Sequence, residues 1–238
     1  MSVTAIIDTD KILKRETMKK IVLIALLLIF SNTVLAANTT IDTKAKNIAA
    51  KTNNLKPSLI KLAIEAFYNA KRLGVNTSKQ ILTVIDYSLP STQKRLWVLD
   101  LNQEKILYSS MVAHGRNSGE NHTTNFSNRI GSLQTSLGLF LTEGTYFGRD
   151  GYSLYLKGLE KGINDNAKTR TIVLHGAPYV SNQFVAAAGR VGRSWGCPAV
   201  EKPLAEPIIN TIKNGTMIFS FYPDQKWLSE SKFINRQA

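Results

Sequence analysis

Cysteine is almost absent from this sequence of 238 residues, in which Cys197 is the only thiol. One cysteine cannot form an intramolecular disulfide, and one cysteine with three dispersed histidines provides no metal-ligand cluster. Paired carboxylates are lacking as well, since no two aspartates among Asp86, Asp100, Asp150 and Asp165 are arranged as a two-carboxylate mechanism requires. The sequence therefore predicts neither a metal site nor a cofactor.

Acidic residues are scarce: 17 Asp and Glu stand against 30 Lys and Arg, which gives a formal charge of +13. The basic residues are spread along the chain, and no zinc-finger spacing, RNA-binding signature or clear helix-turn-helix accompanies them. We therefore expect no nucleic-acid partner. A basic surface of this kind suits an anionic partner such as the cell wall.

A long hydrophobic run is also missing. The apolar stretch Ile21–Phe30 has ten residues and would span about 15 Å as a helix, roughly half of a hydrocarbon core. It follows Lys19 and Lys20 and precedes small residues, which is the arrangement of a secretory signal. We expect residues 1–36 to be a signal peptide, with an uncleaved membrane anchor and a buried helix as the alternatives.

The predicted signal also bears on the start, the lipidation and the size of the mature chain. Met18, at the basic end of the signal, is an alternative start, and the absence of cysteine at the cleavage site excludes a lipoprotein. Cutting after Ala36 leaves about 200 residues with a charge of about +11, enough for one buried core.

We expect this protein in the periplasm or cell wall, touching the membrane only through its signal. A free thiol there is a liability, so Cys197 is either buried and structural or functional.

The predicted secondary structure changes from helix to strand near Gln80. Residues 38–54 are rich in Thr, Asn and Lys and predict a mobile linker, whereas Leu55–Gly74 repeats apolar residues at helical spacing. Short β-prone runs follow, with one further helix at Leu204–Lys213, and together they predict a mainly antiparallel β-sandwich or barrel. The predicted strands, with a hairpin turn at Leu99–Lys105, are Ile81–Tyr87, Arg95–Leu101, Lys105–Ala113, Leu137–Leu141, Ser153–Leu156, Thr171–Leu174 and Thr216–Tyr222.

Two segments carry residues suited to nucleophilic catalysis. His175 closes an apolar run and precedes Gly176, and Cys197 ends a run with three glycines, GRVGRSWGC. The thiolate is the competent nucleophile of cysteine, so an imidazole within hydrogen-bond reach is the activation that this sequence offers. Glycines let the chain turn and bring N–H groups near a bound carbonyl. His114 also precedes a glycine after a strand-like run and is the rival base.

The stretches HGAPYV and GRVGRSWGCPAV resemble the catalytic segment of the L,D-transpeptidase (YkuD-type) domain, in the murein L,D-transpeptidase subgroup with the SWGCP motif. The resemblance runs from Ile81 to Tyr222 and includes AHGRNSG, FSNRIGS and YSLYLKGLEKGINDNAKTR. It implies a mainly β fold, a YkuD-like β-sandwich with a short capping helix, preceded here by an N-terminal helix. It also implies acyl transfer in peptidoglycan, in which a thiolate attacks an L-centre carbonyl of a stem peptide and releases the terminal D-residue.

The resemblance assigns roles by position. Cys197 corresponds to the nucleophile, His175 to the base, and the Gly176 carbonyl to the group that orients the imidazole. Trp195 and Ala199 stand where the commoner motif has His and Arg. That departure leaves Arg190 and Arg193 as candidates to hold substrate carboxylates. We expect His114, the rival base, on the substrate side or in a structural role. The implied oxyanion and substrate-binding residues are Ser194, Trp195, Gly196, Arg193, Arg190 and His114.

The expected function is therefore a cysteine-dependent peptidoglycan L,D-transpeptidase that crosslinks or attaches stem peptides. Two alternatives stay open: a cysteine hydrolase of L,D-carboxypeptidase or endopeptidase type, and a non-catalytic basic protein that binds the cell wall and keeps Cys197 buried. The predicted segments are a signal peptide at 1–36, a linker and N-terminal helix at 37–79, a catalytic domain at 80–223 and a C-terminal tail at 224–238.

Overall fold

The computed structural model describes the backbone of residues 3–77 and 79–235, and the side chains of residue 11, residues 13–24 and most residues from 39 onward. The chain divides into two compact units, Met1–Thr43 and Lys44–Ala238. Helix α1, Val3–Ala49, forms the first unit up to Thr43 and continues into the second. The predicted cleavage position lies outside the described side chains. In the described part of the chain, no helix is both long and apolar enough to cross a membrane.

The second unit begins with the last turns of α1, where the composition predicts a mobile linker. That prediction is wrong for residues 39–49, which are helical. Ala45, Ile48 and Ala49 are buried there at the spacing of one helix face. The segment is polar on average, so its composition does not indicate this short apolar stripe.

Helix α2, Pro57–Arg72, confirms the helix predicted at Leu55–Gly74. Proline at its first turn costs no hydrogen bond, and Gly74 just beyond its end adopts a positive φ of 86°. Its apolar face is fully buried, and the helix packs on the first strand of the sheet. Burial of this face attaches the helix to the β domain.

The β domain is one sheet of nine strands in the order β3-β2-β1-β9-β5-β6-β7-β8-β4. Pairings β1–β9 and β7–β8 are parallel, and the others are antiparallel. The strands are β1 Ile81–Asp86, β2 Leu96–Asp100, β3 Lys105–Ser110, β4 Val112–Ala113, β5 Gly138–Gly148, β6 Gly151–Gly158, β7 Val173–Ala177, β8 Ala199–Glu201 and β9 Met217–Phe221. The remaining helices are α3 Asn182–Ala188, α4 Lys202–Ile212 and α5 Gln225–Glu230.

The two edges of this sheet meet at a single residue. Strands β3 and β4 lie at opposite ends of the strand order, yet only Met111 separates them in the chain. Because consecutive Cα atoms are about 3.8 Å apart, the edges must lie side by side and the sheet must curl on itself. The single strand predicted at Lys105–Ala113 is therefore wrong in one respect, since the chain changes edges at Met111.

The curled sheet encloses the main core. Side chains from β1, β2, β5, β6, β7 and β8 form one buried cluster with the apolar face of α4. The expectation of a mainly β fold with a capping helix and a preceding helix is confirmed, and α4 lies where the sequence predicts the further helix, at Leu204–Lys213. The predicted C-terminal tail is not loose, because Trp227 of α5 and Phe233 are both buried.

Candidate active site

The pairing of β7 with β8 brings His175 and Cys197 together. His175 is opposite Ala199 in this parallel pair, so Cys197 lies two residues before the partner of the histidine. The His175 N–H donates to the Pro198 carbonyl at 3.4 Å. Both side chains line one cavity of about 490 Å³. Residues 22 positions apart in the sequence thus share one site because two short strands pair.

The imidazole of His175 is held by the next residue in the chain. Its Nδ1 lies 3.1 Å from the Gly176 carbonyl oxygen. A carbonyl only accepts hydrogen bonds, so Nδ1 is the donor, and in the neutral imidazole the lone pair is then on Nε2. Gly176 is required by packing, because a Cβ there would lie 2.8 Å from the Cβ of Ala205 in α4. The strand, the helix and one carbonyl together fix the histidine as a proton acceptor.

Cys197 is half-buried, and its Sγ lies 3.7 Å from the Thr171 carbonyl oxygen. Burial raises the pKa of the Cys197 thiol, a hydrogen bond with the Val173 backbone lowers it, Asp150 raises it, and Arg170 lowers it; the net shift is upward. The protonated thiol is therefore favoured at neutral pH. A nucleophilic thiolate here needs a base, and the free Nε2 of His175 shares its cavity.

The turn before Cys197 is closed by Ser194. Its hydroxyl donates to the Cys197 carbonyl at 2.6 Å and accepts the Gly196 N–H at 3.1 Å. Gly196 has a φ of 126°, and a Cβ there would lie 2.8 Å from the Gln134 carbonyl oxygen. Only glycine fits this position. Because its N–H is already engaged, Gly196 differs from its expected role as an oxyanion donor.

Trp195 is exposed at 62% of its surface and lines the cavity. The guanidinium of Arg149, at the tip of the β5–β6 hairpin, lies over the indole at 5.4 Å from the ring centroid. Arg149 also lies 3.6 Å from Asp150, and both line the same cavity. A flat apolar surface with a cation on it therefore borders the nucleophile candidate.

The two arginines expected to hold substrate carboxylates bind Glu120 in the structure. Arg190 Nε lies 2.8 Å from one Glu120 oxygen, and Arg193 Nη1 contacts the other. Arg193 lines the cavity, whereas Arg190 is not among the lining residues. Arg190 also donates to the Val191 carbonyl at 3.0 Å. The position of Arg190 thus does not fit the role that the resemblance implied for it.

His114 is fully buried and does not line the cavity. Its Nδ1 accepts from Arg95 Nη2 at 2.7 Å, and its Nε2 donates to the Gly119 carbonyl at 3.2 Å. Burial, followed by the charge of Arg95, lowers the pKa of His114 to about 4. Both ring nitrogens are engaged, so of its two expected roles the structural one fits these contacts.

Several lining residues have no counterpart in the expectations from sequence. The clearest is Arg170, which stands immediately before the apolar run leading to His175. An arginine immediately before the predicted strand Thr171–Leu174 is the signal that points to it. Tyr146 and Tyr179 also line the cavity, and burial raises the pKa of Tyr179 to about 12. Within the described residues, no group of three or more metal-ligand side chains exists.

Solved structures with a similar fold come from several bacteria. An L,D-transpeptidase from Mycobacterium smegmatis is 14% identical, with a TM-score of 0.39, and the match covers 62% of this chain and 61% of that one. The helical cell shape determining protein of Campylobacter jejuni is 11% identical, with a TM-score of 0.40 and coverages of 69% and 57%. Mycobacterium tuberculosis L,D-transpeptidase 1 is 13% identical, with a TM-score of 0.33 and coverages of 60% and 62%. The chain thus spans about three fifths of the length of these relatives.

No curated protein sequence matches the chain. The family comparison is decisive, because the match to the L,D-transpeptidase catalytic domain covers residues 51–221, well over half of the sequence. This region contains the whole sheet and the cavity shared by His175 and Cys197. The chain belongs to the L,D-transpeptidase catalytic domain family.

Proposed function

We propose that the protein is an exported peptidoglycan L,D-transpeptidase in which Cys197 is the nucleophile and His175 the base. One observation carries the proposal: His175, whose Nδ1 lies 3.1 Å from the Gly176 carbonyl oxygen, lines the same cavity as the only thiol. Family membership supplies the reaction class. The Ile21–Phe30 segment after two lysines supports export.

In the first step, His175 Nε2 takes the thiol proton and the Cys197 thiolate attacks the L-centre carbonyl of a stem peptide. The carbonyl oxygen becomes an oxyanion, and backbone N–H groups stabilise it. Since Ser194 already holds the Gly196 N–H, we assign this role to the N–H groups of Trp195 and Cys197. The tetrahedral intermediate collapses, its C–N bond breaks, and the imidazolium returns its proton to the departing D-residue amine.

In the second step, an acceptor amine attacks the Cys197 thioester while His175 Nε2 removes a proton from the amine. Collapse of the second intermediate breaks the C–S bond and restores the thiol. Water in place of the amine would give hydrolysis by the same steps. The cavity of about 490 Å³ has room for a peptide segment beside the thiol. The exposed Trp195 and Arg149 border the path by which a second substrate would enter.

Intact mass after incubation with a carbapenem tests the nucleophile, because a β-lactam carbonyl acylates a reactive thiolate. The wild-type protein should gain the mass of one carbapenem, and Cys197→Ala should gain none. His175→Ala should acylate at least about a hundredfold more slowly, the usual contribution of a general base. An unmodified wild-type protein would contradict the proposal and favour a wall-binding protein with an inert thiol.

Mass analysis of products from purified tetrapeptide muropeptides tests the reaction itself. Crosslinked dimers that disappear in Cys197→Ala support transfer, whereas shortened monomers alone would show a hydrolase. Unchanged muropeptides with the wild-type protein would refute activity on this substrate. As a matched control, His122→Ala changes an exposed histidine in a polar loop and should leave the products unchanged.

A further inference from the structure

Arg170 packs directly on the turn that presents the candidate nucleophile. Its side chain is half-buried and lines the cavity together with Cys197. A Cβ placed on Gly196 would lie 3.1 Å from Arg170 Nη2, so the guanidinium touches the backbone immediately before the cysteine. A side chain there cannot be accommodated. The contact therefore joins the arginine to the geometry of the nucleophile.

The hydrogen bonds of Arg170 go to neutral oxygens. Nη1 donates to the Ser127 carbonyl and to Ser136 Oγ, both at 2.6 Å. Nη2 donates to Ser132 Oγ at 3.2 Å and to the Gln134 carbonyl. These four acceptors belong to one segment, residues 127–136, which forms a wall of the cavity. The arginine thus ties this wall to the Cys197 turn.

The positive charge of Arg170 has no carboxylate partner within 4.0 Å in the part of the chain that the structure describes. The other two cavity arginines differ in this respect, since Arg193 pairs with Glu120 and Arg149 with Asp150. Neutral hydrogen-bond acceptors solvate a guanidinium without cancelling its charge. The anion best placed to compensate it is a Cys197 thiolate.

The electrostatics of the two groups agree with this placement. Burial lowers the pKa of Arg170, and Cys197 acts in the opposite direction. Arg170 in turn is the charged group that lowers the pKa of the Cys197 thiol, against burial and Asp150, which raise it. The sequence has Ala199 where the commoner motif of the family has an arginine. Arg170 supplies a cation to the site from a different element.

We propose that Arg170 is a positioning residue for the reaction proposed above: it holds the Gly196–Cys197 turn against residues 127–136, and its charge stabilises the Cys197 thiolate. When the thiol proton moves to His175 Nε2, an imidazolium and a thiolate form in place of two neutral groups. A fixed cation beside the sulfur lowers the free energy of that charge-separated state. A larger fraction of Cys197 is then thiolate at neutral pH and able to attack the stem-peptide carbonyl.

The pH profile of Cys197 alkylation by iodoacetamide tests the charge without any peptidoglycan substrate. In Arg170→Gln we expect the profile to shift to higher pH, with a rate about threefold to tenfold lower near pH 7 and little change at high pH. Arg170→Lys keeps the charge and should keep the wild-type midpoint. Arg129→Gln removes the same charge from an exposed side chain of the same segment and should also keep it.

A merely structural role predicts something different. Loss of the hydrogen bonds would lower the rate of Arg170→Gln equally at every pH, and an unshifted midpoint would overturn the proposal. If Arg170→Gln does not fold, the wild-type protein still decides, because a cation beside the sulfur accelerates anionic iodoacetate relative to neutral iodoacetamide. A ratio no higher than that of free glutathione would overturn the proposal.

The outcome is independent of the enzyme assay. A protein that forms crosslinks while Arg170→Gln keeps the wild-type midpoint retains its proposed function and loses this role for Arg170. If the midpoint of Arg170→Gln shifts as expected but the wild-type protein leaves muropeptides unchanged, the role of Arg170 is supported and the proposed function is refuted.

Discussion

At the scale of single residues, the hydrogen bonds of two histidines separate their roles. His175 uses Nδ1 to donate to a carbonyl, and its side chain lines the same cavity as Cys197. His114 uses both ring nitrogens within the protein, one toward Arg95 and one toward the Gly119 carbonyl. A base needs a free lone pair, and both ring nitrogens of His114 are engaged. His114 therefore fits a structural role, whereas His175 remains the candidate base.

Burial of His114 makes folding stability depend on pH. Its folded pKa is lowered to about 4, with Arg95 and Arg193 as the facing charges, while an unfolded histidine titrates near its ordinary value of 6.5. Between these values the unfolded chain binds a proton that the folded chain does not. Stability is therefore lost as pH falls from 6.5 toward 4, by about 3 kcal/mol at most.

Urea unfolding at pH 7 and pH 4.5 measures this loss. His114→Gln can accept from Arg95 and donate to the Gly119 carbonyl, yet it does not titrate. We expect the wild-type protein to lose about 2–3 kcal/mol more than this variant between the two pH values. The raised pKa of buried Glu160 acts in the opposite direction in both proteins and cancels in the difference. Equal losses in both proteins would contradict the assignment.

Residue roles differ in how far the sequence predicts them. Strand, glycine and thiol are local signals within 23 residues and single out Cys197 and His175, whereas only the family resemblance implies a role for the Gly176 carbonyl. The roles of Arg190 and Arg193 could not, since their partner Glu120 lies in a separate loop that only the fold brings near. The same holds for Arg170, whose acceptors belong to a segment more than thirty residues away.

At the scale of elements, periodicity predicts strands and helices but not the edges at which strands meet. The β-prone run Lys105–Ala113 gives no sign that it divides at Met111. Strand β8, only three residues long, also escapes pattern analysis, although its parallel pairing with β7 builds the site. Tertiary pairing, and not local propensity, makes these two short strands regular.

Helix α5 is a short element with a large buried contribution. Trp227 packs against Phe219 and Phe221 of β9, and its Nε1 donates to Glu160 Oε2 at 3.3 Å. The Asp224 side chain caps the helix by accepting the Trp227 N–H at 2.7 Å. The segment predicted to be a tail therefore closes the β9 side of the core.

Trp227→Ala should lower the free energy of unfolding by about 3–5 kcal/mol, because it empties a site of indole size and removes one of the donors to buried Glu160. Lys226→Ala changes the exposed neighbour in the same helix and should stay within about 0.5 kcal/mol of wild type. Urea unfolding monitored by circular dichroism measures both. A Trp227→Ala protein as stable as Lys226→Ala would show that α5 is dispensable.

At the scale of the whole molecule, net charge and local charge serve different purposes. The chain carries +13, and its basic residues are dispersed, which favours an extended anionic surface over one defined ligand. Within the cavity, by contrast, each arginine has a distinct neighbour, in Asp150, Glu120 or the Cys197 turn. Composition predicts the first property, whereas the second depends on contacts that only the folded chain creates.

The extent of the folding unit is also a property of the whole molecule. The catalytic domain predicted at 80–223 omits three attached segments. Ile48 at the end of α1 is buried, and Asn47 donates to Glu104 at 2.7 Å beside the β2–β3 turn. Asn69 of α2 donates to the Phe233 carbonyl at 2.8 Å. We propose that the stable unit begins near Lys44 and extends through Phe233.

Two shortened chains test this boundary. Residues 44–235 keep the buried faces of α1 and α2. They should unfold cooperatively, at nearly the same unfolding temperature as residues 37–238. Residues 80–235 expose the apolar surface of β1 that α2 covers, and removal of eight buried residues of that helix should lower the unfolding temperature by at least about 10 °C or prevent folding. Calorimetry distinguishes the two. If residues 80–235 unfold at the same temperature as residues 44–235, α2 contributes no stability and the catalytic domain begins at the sheet.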